Sequence, residues 1–419
     1  MKTRAVRLYG KDELRLEEFD LPVMKEDEIL ARVVSDSLCM SSYKAAKQGA
    51  AHKRVPGDVG SHPTIIGHEF CGEILMVGEK WKNQFRPGQK FSIQPALNYK
   101  GSLNAPGYSY QYIGGDATTV IIPNEVMEMN CLLSYTGEAF FGGSLAEPLS
   151  CVAGTFHAMY HTVRGSYEHA MGIRAGGNMA ILAGVGPMGL AAIDYILHCP
   201  RKPGKLVVTD IDQGRLDRAA RILSVAEAAK NGVTLAYLNT ANLADKTALL
   251  DFSGGRGFDD VLVFAPVASV VEQADSILAE DGCLNFFAGP ADPNFSAKFN
   301  FYNVHYAGTH VVGTSGGNTS DMAECLDMMG RGLLNPAILV THIGGLGAVP
   351  EATLRLPEIP GGKKLIYTHI DLPLTAISDF EERGKTDPLF AKLHELCAAN
   401  NGLWCAEAEK ILLREKGDV

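Results

Sequence analysis

Short apolar runs broken by turn residues dominate the chain up to about residue 170. Glu28-Ile-Leu-Ala-Arg-Val-Val34 and Glu73-Ile-Leu-Met-Val77 have the length and composition of strands, and Pro87-Gly88 and Pro106-Gly107 mark turns. The region therefore reads as a mostly β domain. Two stretches lack the pattern and are expected to be loops, Lys44 to Pro63 and the Gly-, Asn- and Tyr-rich Gln94 to Asp116. From Glu147 a helical pattern runs through Val152, Phe156 and Tyr160 and is expected to bridge into a second section. There, Met179 to Gly184, Lys205 to Asp210, Thr234 to Leu238, Asp259 to Phe264, Cys283 to Ala288 and His310 to Gly313 are short apolar strands. Helical stretches such as Gln213 to Leu223 and Val267 to Ala279 separate them. Strand alternating with helix predicts an α/β domain built on a doubly wound parallel sheet. Beyond Gly316-Gly317, a helix from Thr319 to Met329 and strands at Leu339 to His342 and Lys364 to Thr368 read as a return to the first domain. The α/β domain is thus inserted in the β domain, with residues 1–170 and 315–370 forming one and 171–314 the other. The tail from Asp371 to Val419 reads as helical, with no role assigned to it.

The first of the six strands runs into glycines at G-x-G-x-x-G spacing, Gly184, Gly186 and Gly189, with Pro187 and Met188 between the last two. In that pattern the first glycine permits a tight turn. The second lets backbone approach a pyrophosphate, and the third lets the following helix pack close. The helix N-terminus then presents free N–H groups to the phosphates. Asp210 ends the next strand, twenty-one positions after Gly189, where a ribose-binding carboxylate belongs. The rival reading of Met179 to Leu197 as a membrane span meets Gly184, Gly186, Pro187 and Asp194 inside it, so a dinucleotide site is the better account. Asp210 would repel a 2′-phosphate and predicts NAD, while Arg215 is near enough in sequence to admit NADP.

Composition narrows the partners. At 419 residues the chain suits two domains. A net charge of −10 argues against a nucleic-acid surface, which needs a basic face. The opening MKTRAVRLYG has no apolar segment of the secretory kind, so neither signal nor membrane anchor is expected and a cytoplasmic location is. Nine cysteines without a C-x-x-C pair fit reduced thiols.

Three places in the β domain carry metal-ligand chemistry: Cys39, the His68-Glu69 pair, and Glu147. A thiolate, an imidazole and a carboxylate suit zinc, and three ligands with an open fourth position is the catalytic arrangement. Taken singly, each has an ordinary explanation: a small buried hydrophobe, a satisfied turn histidine, an acid at a helix start. His157 and His161, four apart on the expected bridging helix, lack a nearby carboxylate in sequence and read as packing residues rather than a second metal site.

Cys-x-Ser at 39–41, Gly-His-Glu at 67–69, Glu-Pro-Leu at 147–149, the glycine-rich turn, and Val-Gly-Thr-Ser-Gly-Gly at 312–317 occur in an order that resembles the zinc-dependent medium-chain dehydrogenases. Within them the chain is most similar to the polyol and sugar-phosphate branch, over roughly residues 1 to 370. The resemblance implies a GroES-like catalytic domain with an inserted Rossmann domain. It implies that Cys39, His68 and Glu147 hold one zinc per chain directly or through water, that Glu69 lies behind the metal and can enter its shell, and that Ser41 passes the proton. It further implies hydride transfer between NAD(P)H and a ketose phosphate/hexitol phosphate pair, in a protein expected to form a homo-oligomer. The alternatives are an unphosphorylated polyol dehydrogenase, a zinc-free reductase, or a nucleotide-binding sensor that has lost turnover.

The chain departs from the family's pattern in places. Met40 and Ser42 stand where Gly and Asp are usual, and Lys44 where a relay histidine often follows. Residues 94–116, where many members carry four cysteines around a structural zinc, contain none. An acidic protein that binds a sugar phosphate needs local positive charge, and Lys44, Lys47, Lys53 and Arg54 supply it next to the expected metal. A solvated surface loop is the ordinary alternative for such a cluster.

Overall fold

The computed structural model describes residues 1–163, 165–241, 247–290 and 292–417. Two compact units emerge, one of residues 1–147, 318–332 and 336–419, the other of 148–317 with 333–335. The first division therefore falls at Glu147–Pro148 rather than near 170, and the tail belongs to the first unit. The last two tail residues lie outside the described ones.

In the second unit six parallel strands lie side by side in the order Thr234–Asn239, Lys205–Asp210, Asn178–Leu182, Phe258–Val263, Leu278–Phe286, His310–Gly313. The order reverses beside Asn178–Leu182, the strand that leads into the glycine turn, and such a reversal is where this kind of sheet binds a ligand. Asn178–Leu182 and Phe258–Val263 are buried along their whole length, as strands covered on both faces must be.

In the first unit the strand Ile29–Leu38 organises an eight-stranded sheet. It pairs antiparallel with Lys363–Tyr367, Cys71–Val77 and Thr119–Ile122. All its residues but Arg32 are buried, so its end is held firmly. The register sets Leu38 opposite Lys364, which brings the next pair, Cys39 and Lys363, to the same sheet end. Two apolar clusters, one around Phe70, Phe91 and Ile93 and one around Leu38, Ile66 and Val349, pack on this sheet.

Two local expectations need correction. The stretch after Cys39 is not all loop: Met40–Gln48 is a helix, begun from an extended Cys39 and stopped by Gly49 at φ 53°. Ala45 and Ala46 bury its inner face against the Val349 and Leu356 side of the core, which outweighs the loop-like Ser and Lys content. The helix from Ala146 ends at Ala158, and Tyr160–Thr162 is a strand paired with His169–Met171, so His157 and His161 share no helix face. The tail forms the helices Phe380–Gly384, Pro388–Ala399 and Ala406–Lys416. Its Trp404 donates to the Tyr367 hydroxyl at 2.8 Å, which donates to buried Glu409 at 2.9 Å. Glu409 also accepts from the Phe140 and Phe141 N–H groups, at 2.6 and 2.9 Å, and so caps the short helix Phe140–Ser144.

Candidate active site

Cys39 leaves the buried strand as the N-cap of its helix, which aims a short side chain into the space at the sheet end. His68 and Glu69 arrive there through Gly67, whose φ of 88° and closeness to Asp36 and Asp116 exclude a side chain: a Cβ would lie 2.5 Å from Asp36 Oδ2. Asp36 Oδ1 accepts the Glu69 N–H at 3.1 Å, and the Ser37 N–H donates to the Glu69 carbonyl at 3.1 Å, so the turn is pinned from below. Burial pushes the Asp116 carboxyl up to about 8, so the adjacent pair Asp36 and Asp116 carries at most one negative charge at neutral pH.

One ligand atom each from Cys39, His68 and Glu69 lie within 4.8 Å of one another. His68 and Glu69 are almost wholly buried. The His68 ring is oriented on both sides, with Ser42 Oγ 3.2 Å from Nδ1 and Tyr108 OH 3.2 Å from Nε2. Burial lowers the imidazole's proton affinity and keeps it neutral, as a metal ligand must be. Burial pushes the Cys39 thiol up to about 11, against the pull of Lys363, so a cation must displace its proton. A sulfur, a nitrogen and a carboxylate oxygen held this closely are a donor set that fits zinc.

The carboxylate within the close group is that of Glu69. Glu147, in the first turn of Ala146–Ala158, lies outside the close group, though near enough that its charge acts on Cys39 and His68. Its own carboxyl is raised by burial and by Glu69. Glu69 stands in the close group, and it is tied: Lys363 Nζ contacts both carboxylate oxygens, at 2.6 Å for Oε2, and the Ser37 hydroxyl donates to Oε2. Burial opposes the Glu69 charge, but the Lys363 cation and the Ser37 hydroxyl outweigh it and hold the carboxyl below its usual range. Ser41 is the second residue of the helix, its Oγ 3.6 Å from the Cys39 sulfur.

Sequence reading missed Lys363, Ser42 as an orienting partner, and Tyr108. Tyr108 lies in a stretch whose composition predicts a loop, and Ser42 stands out in sequence only as a departure from the usual Asp. Lys363 was visible as the start of a basic pair before an apolar strand, but its partner is 294 residues away.

In the second unit the glycine turn has a different division of labour from the one expected. Ala183 takes the left-handed conformation at φ 54°, while a side chain at Gly184 would overlap Ile181. A side chain at Gly189 would overlap the Gly184 carbonyl, so the third glycine does set the close packing of helix on turn. Pro187 starts the helix Pro187–His198. A Cβ on Gly186 would meet Arg215 Nη2 at 3.3 Å, which places that guanidinium over the turn. Asp210 is buried and accepts the Ile211 and Asp212 N–H groups on Oδ1, at 2.9 and 3.1 Å, with Arg215 Nη1 3.9 Å away.

Residues 187–331 match the model of a zinc-binding dehydrogenase, and residues 25–147 that of an alcohol dehydrogenase GroES-like domain. The L-sorbose 1-phosphate reductase of Klebsiella pneumoniae is 52% identical over 417 residues, covering 100% of this chain and 98% of that protein. The chain belongs to the zinc-binding dehydrogenase family. A mannitol-1-phosphate 5-dehydrogenase of Aliivibrio fischeri is 49% identical over 98% of this chain and 97% of its own length. The crystal structure of 2R,3R-butanediol dehydrogenase from Bacillus subtilis shares the fold, at a TM-score of 0.68 and 20% identity over 87% of this chain and 99% of that one. The protein is thus an oxidoreductase with an α/β fold, and the likeness to bacterial L-sorbose 1-phosphate reductases that the motifs carry holds over its whole length. Among the described residues no helix is long and apolar enough to cross a membrane.

Proposed function

We propose that this dehydrogenase moves a hydride between a nicotinamide dinucleotide and a ketose phosphate/hexitol phosphate pair, reducing L-sorbose 1-phosphate or a close analogue to the hexitol phosphate. The observation that carries this is the near 50% identity, over the whole length, to two proteins named for phosphorylated sugar substrates. Cys39 and His68 would hold a zinc ion, with Glu69 or Glu147 as the carboxylate member, and a bound zinc supplies Lewis-acid polarisation of the substrate oxygen.

The chain's own residues do the rest. Ser41, whose Oγ stands 3.6 Å from the Cys39 sulfur, would hold the proton of the reacting oxygen. Lys363 keeps Glu69 charged and fixed, and Ser42 keeps the His68 ring in one orientation. The turn Gly184–Gly189 would receive the pyrophosphate on the N–H groups of the helix that Pro187 and Met188 begin. With both backbone bonds on Oδ1, Asp210 has Oδ2 to accept from a ribose hydroxyl, which supports NAD as the main cofactor; Arg215 above the turn leaves NADP usable. A homo-oligomer belongs to the same reading, supported by exposed Phe301, Tyr302, Tyr306 and Val311 on and near the edge strand His310–Gly313. The test is a panel of hexitols, ketoses and their phosphates, followed by nicotinamide absorbance. The reading predicts turnover of the phosphates with much higher kcat/KM than of the free sugars, and equal turnover of both would sink it.

A further inference from the structure

The four basic residues after Cys39 have different surroundings. Lys47 is already neutralised, its Nζ 2.7 Å from Asp12. Arg54 is not: among the described residues no carboxylate lies within ion-pair distance of it, and its Nε is buried without a hydrogen-bond partner. A buried N–H of a guanidinium left without an acceptor is unfavourable unless a ligand supplies one. The residue is held in place by its backbone, whose carbonyl accepts from the Ser109 hydroxyl at 2.6 Å and whose N–H donates to His52 Nδ1 at 3.3 Å.

Arg54 also has an address. Its guanidinium carbon lies 5.3 Å from the ring centre of Tyr108, and the Tyr108 ring lies 4.8 Å from that of His68 in the donor set. One aromatic ring therefore separates this unpaired charge from the place where the reacting oxygen would sit. His52 also stacks on Tyr108, with 5.8 Å between ring centres, and burial, then the charges of Arg54, Lys53 and Lys44, weigh against its protonation. The wall beyond Tyr108 is thus positive, and among the described residues Lys44, Lys53 and Arg54 make no ion pair with a carboxylate.

We infer that Arg54, flanked by Lys44 and Lys53, is the residue that binds the substrate's phosphate and so selects phosphorylated over free sugars. This rests on the sugar-phosphate reading above and goes further by naming the group that recognises it. A guanidinium presents paired N–H donors that match two phosphate oxygens, and Tyr108 holds this one beside the donor set.

The experiment compares kcat/KM for L-sorbose 1-phosphate and for L-sorbose in the zinc-loaded enzyme and its Arg54→Gln, Arg54→Lys and Lys47→Gln variants. For Arg54→Gln the phosphate-to-free ratio should fall roughly ten- to hundredfold, mostly through the KM for the phosphate. Arg54→Lys, which keeps the charge and loses the fork, should fall in between, and Lys47→Gln should keep the ratio of the unmodified enzyme. Inorganic phosphate, used as a competitive inhibitor, should weaken in step with Arg54→Gln. A ratio unchanged in Arg54→Gln, or a rise confined to the KM for the dinucleotide, overturns the assignment. An unmodified enzyme that shows no preference for the phosphate overturns the underlying reading instead, and the two failures are told apart before any variant is made.

Discussion

Replacing Lys363 by methionine removes the cation that sits on a carboxylate almost sealed from water. The Glu69 side chain is 1% exposed and that of Lys363 11%, with Nζ on both carboxylate oxygens. Methionine keeps most of the volume, so the cavity contribution is small and the effect is electrostatic. What remains to face the charge is the Ser37 hydroxyl and a neutral His68. Breaking a buried pair from one side costs about 3 to 5 kcal/mol, because the other charge is left uncompensated. For a unit of this size that corresponds to a melting temperature lower by roughly 6 to 20 °C. Thermal melts by circular dichroism, run with chelator so that bound metal adds nothing, should show this for Lys363→Met. The double variant Glu69→Gln/Lys363→Met should recover most of the loss, since a neutral amide needs no counter-charge. A single variant within about 1 kcal/mol of the unmodified protein, or a double variant as damaged as the single, would refute the reasoning.

Two more outcomes follow from other parts of the molecule. Asp210→Ser should shift the cofactor ratio towards NADP by about tenfold or more, because the carboxylate that repels a 2′-phosphate is gone while Arg215 stays; side-by-side KM values for NADH and NADPH decide it, and a ratio that does not move removes Asp210 from cofactor choice. Both ring nitrogens of His161 face acceptors at 3.0 Å, Asp260 Oδ1 and the Asp281 carbonyl, and although burial and Arg174 oppose the charge, Asp260 raises the imidazole's pKa. Its stabilising effect is complete below the unfolded value of about 6.5 and disappears as pH rises through the higher folded value, so the melting deficit of His161→Gln should be largest near pH 6 and shrink towards pH 9; a deficit constant over that range contradicts the assignment.

The parts of the fold that sequence makes visible are those set by local period and punctuation. The six strands of the second unit announce themselves as apolar runs at strand length, and the Gly184–Gly189 turn by its spacing. Tyr160 continues a helical stripe on paper, yet the chain breaks at Ala158 and pairs with His169–Met171, a non-local contact that no periodicity carries. Cys39 and His68 stand in one close group with Glu69, and Glu147 lies outside that group. The Lys363 contact with Glu69 depends on an antiparallel register across more than three hundred residues, and the hold of Glu409 on Phe140 and Phe141 on a tail folding back over the first unit. Such pairings are properties of topology, and composition has no trace of them.

The most direct test of the account couples metal content to turnover. Purified protein should contain one zinc per chain and oxidise NADH with L-sorbose 1-phosphate. Stripping the metal should abolish that activity, zinc should restore it, and Cys39→Ser should lose both the metal and the reaction. Full activity in metal-free protein, or two zinc ions per chain at full occupancy, would contradict the account.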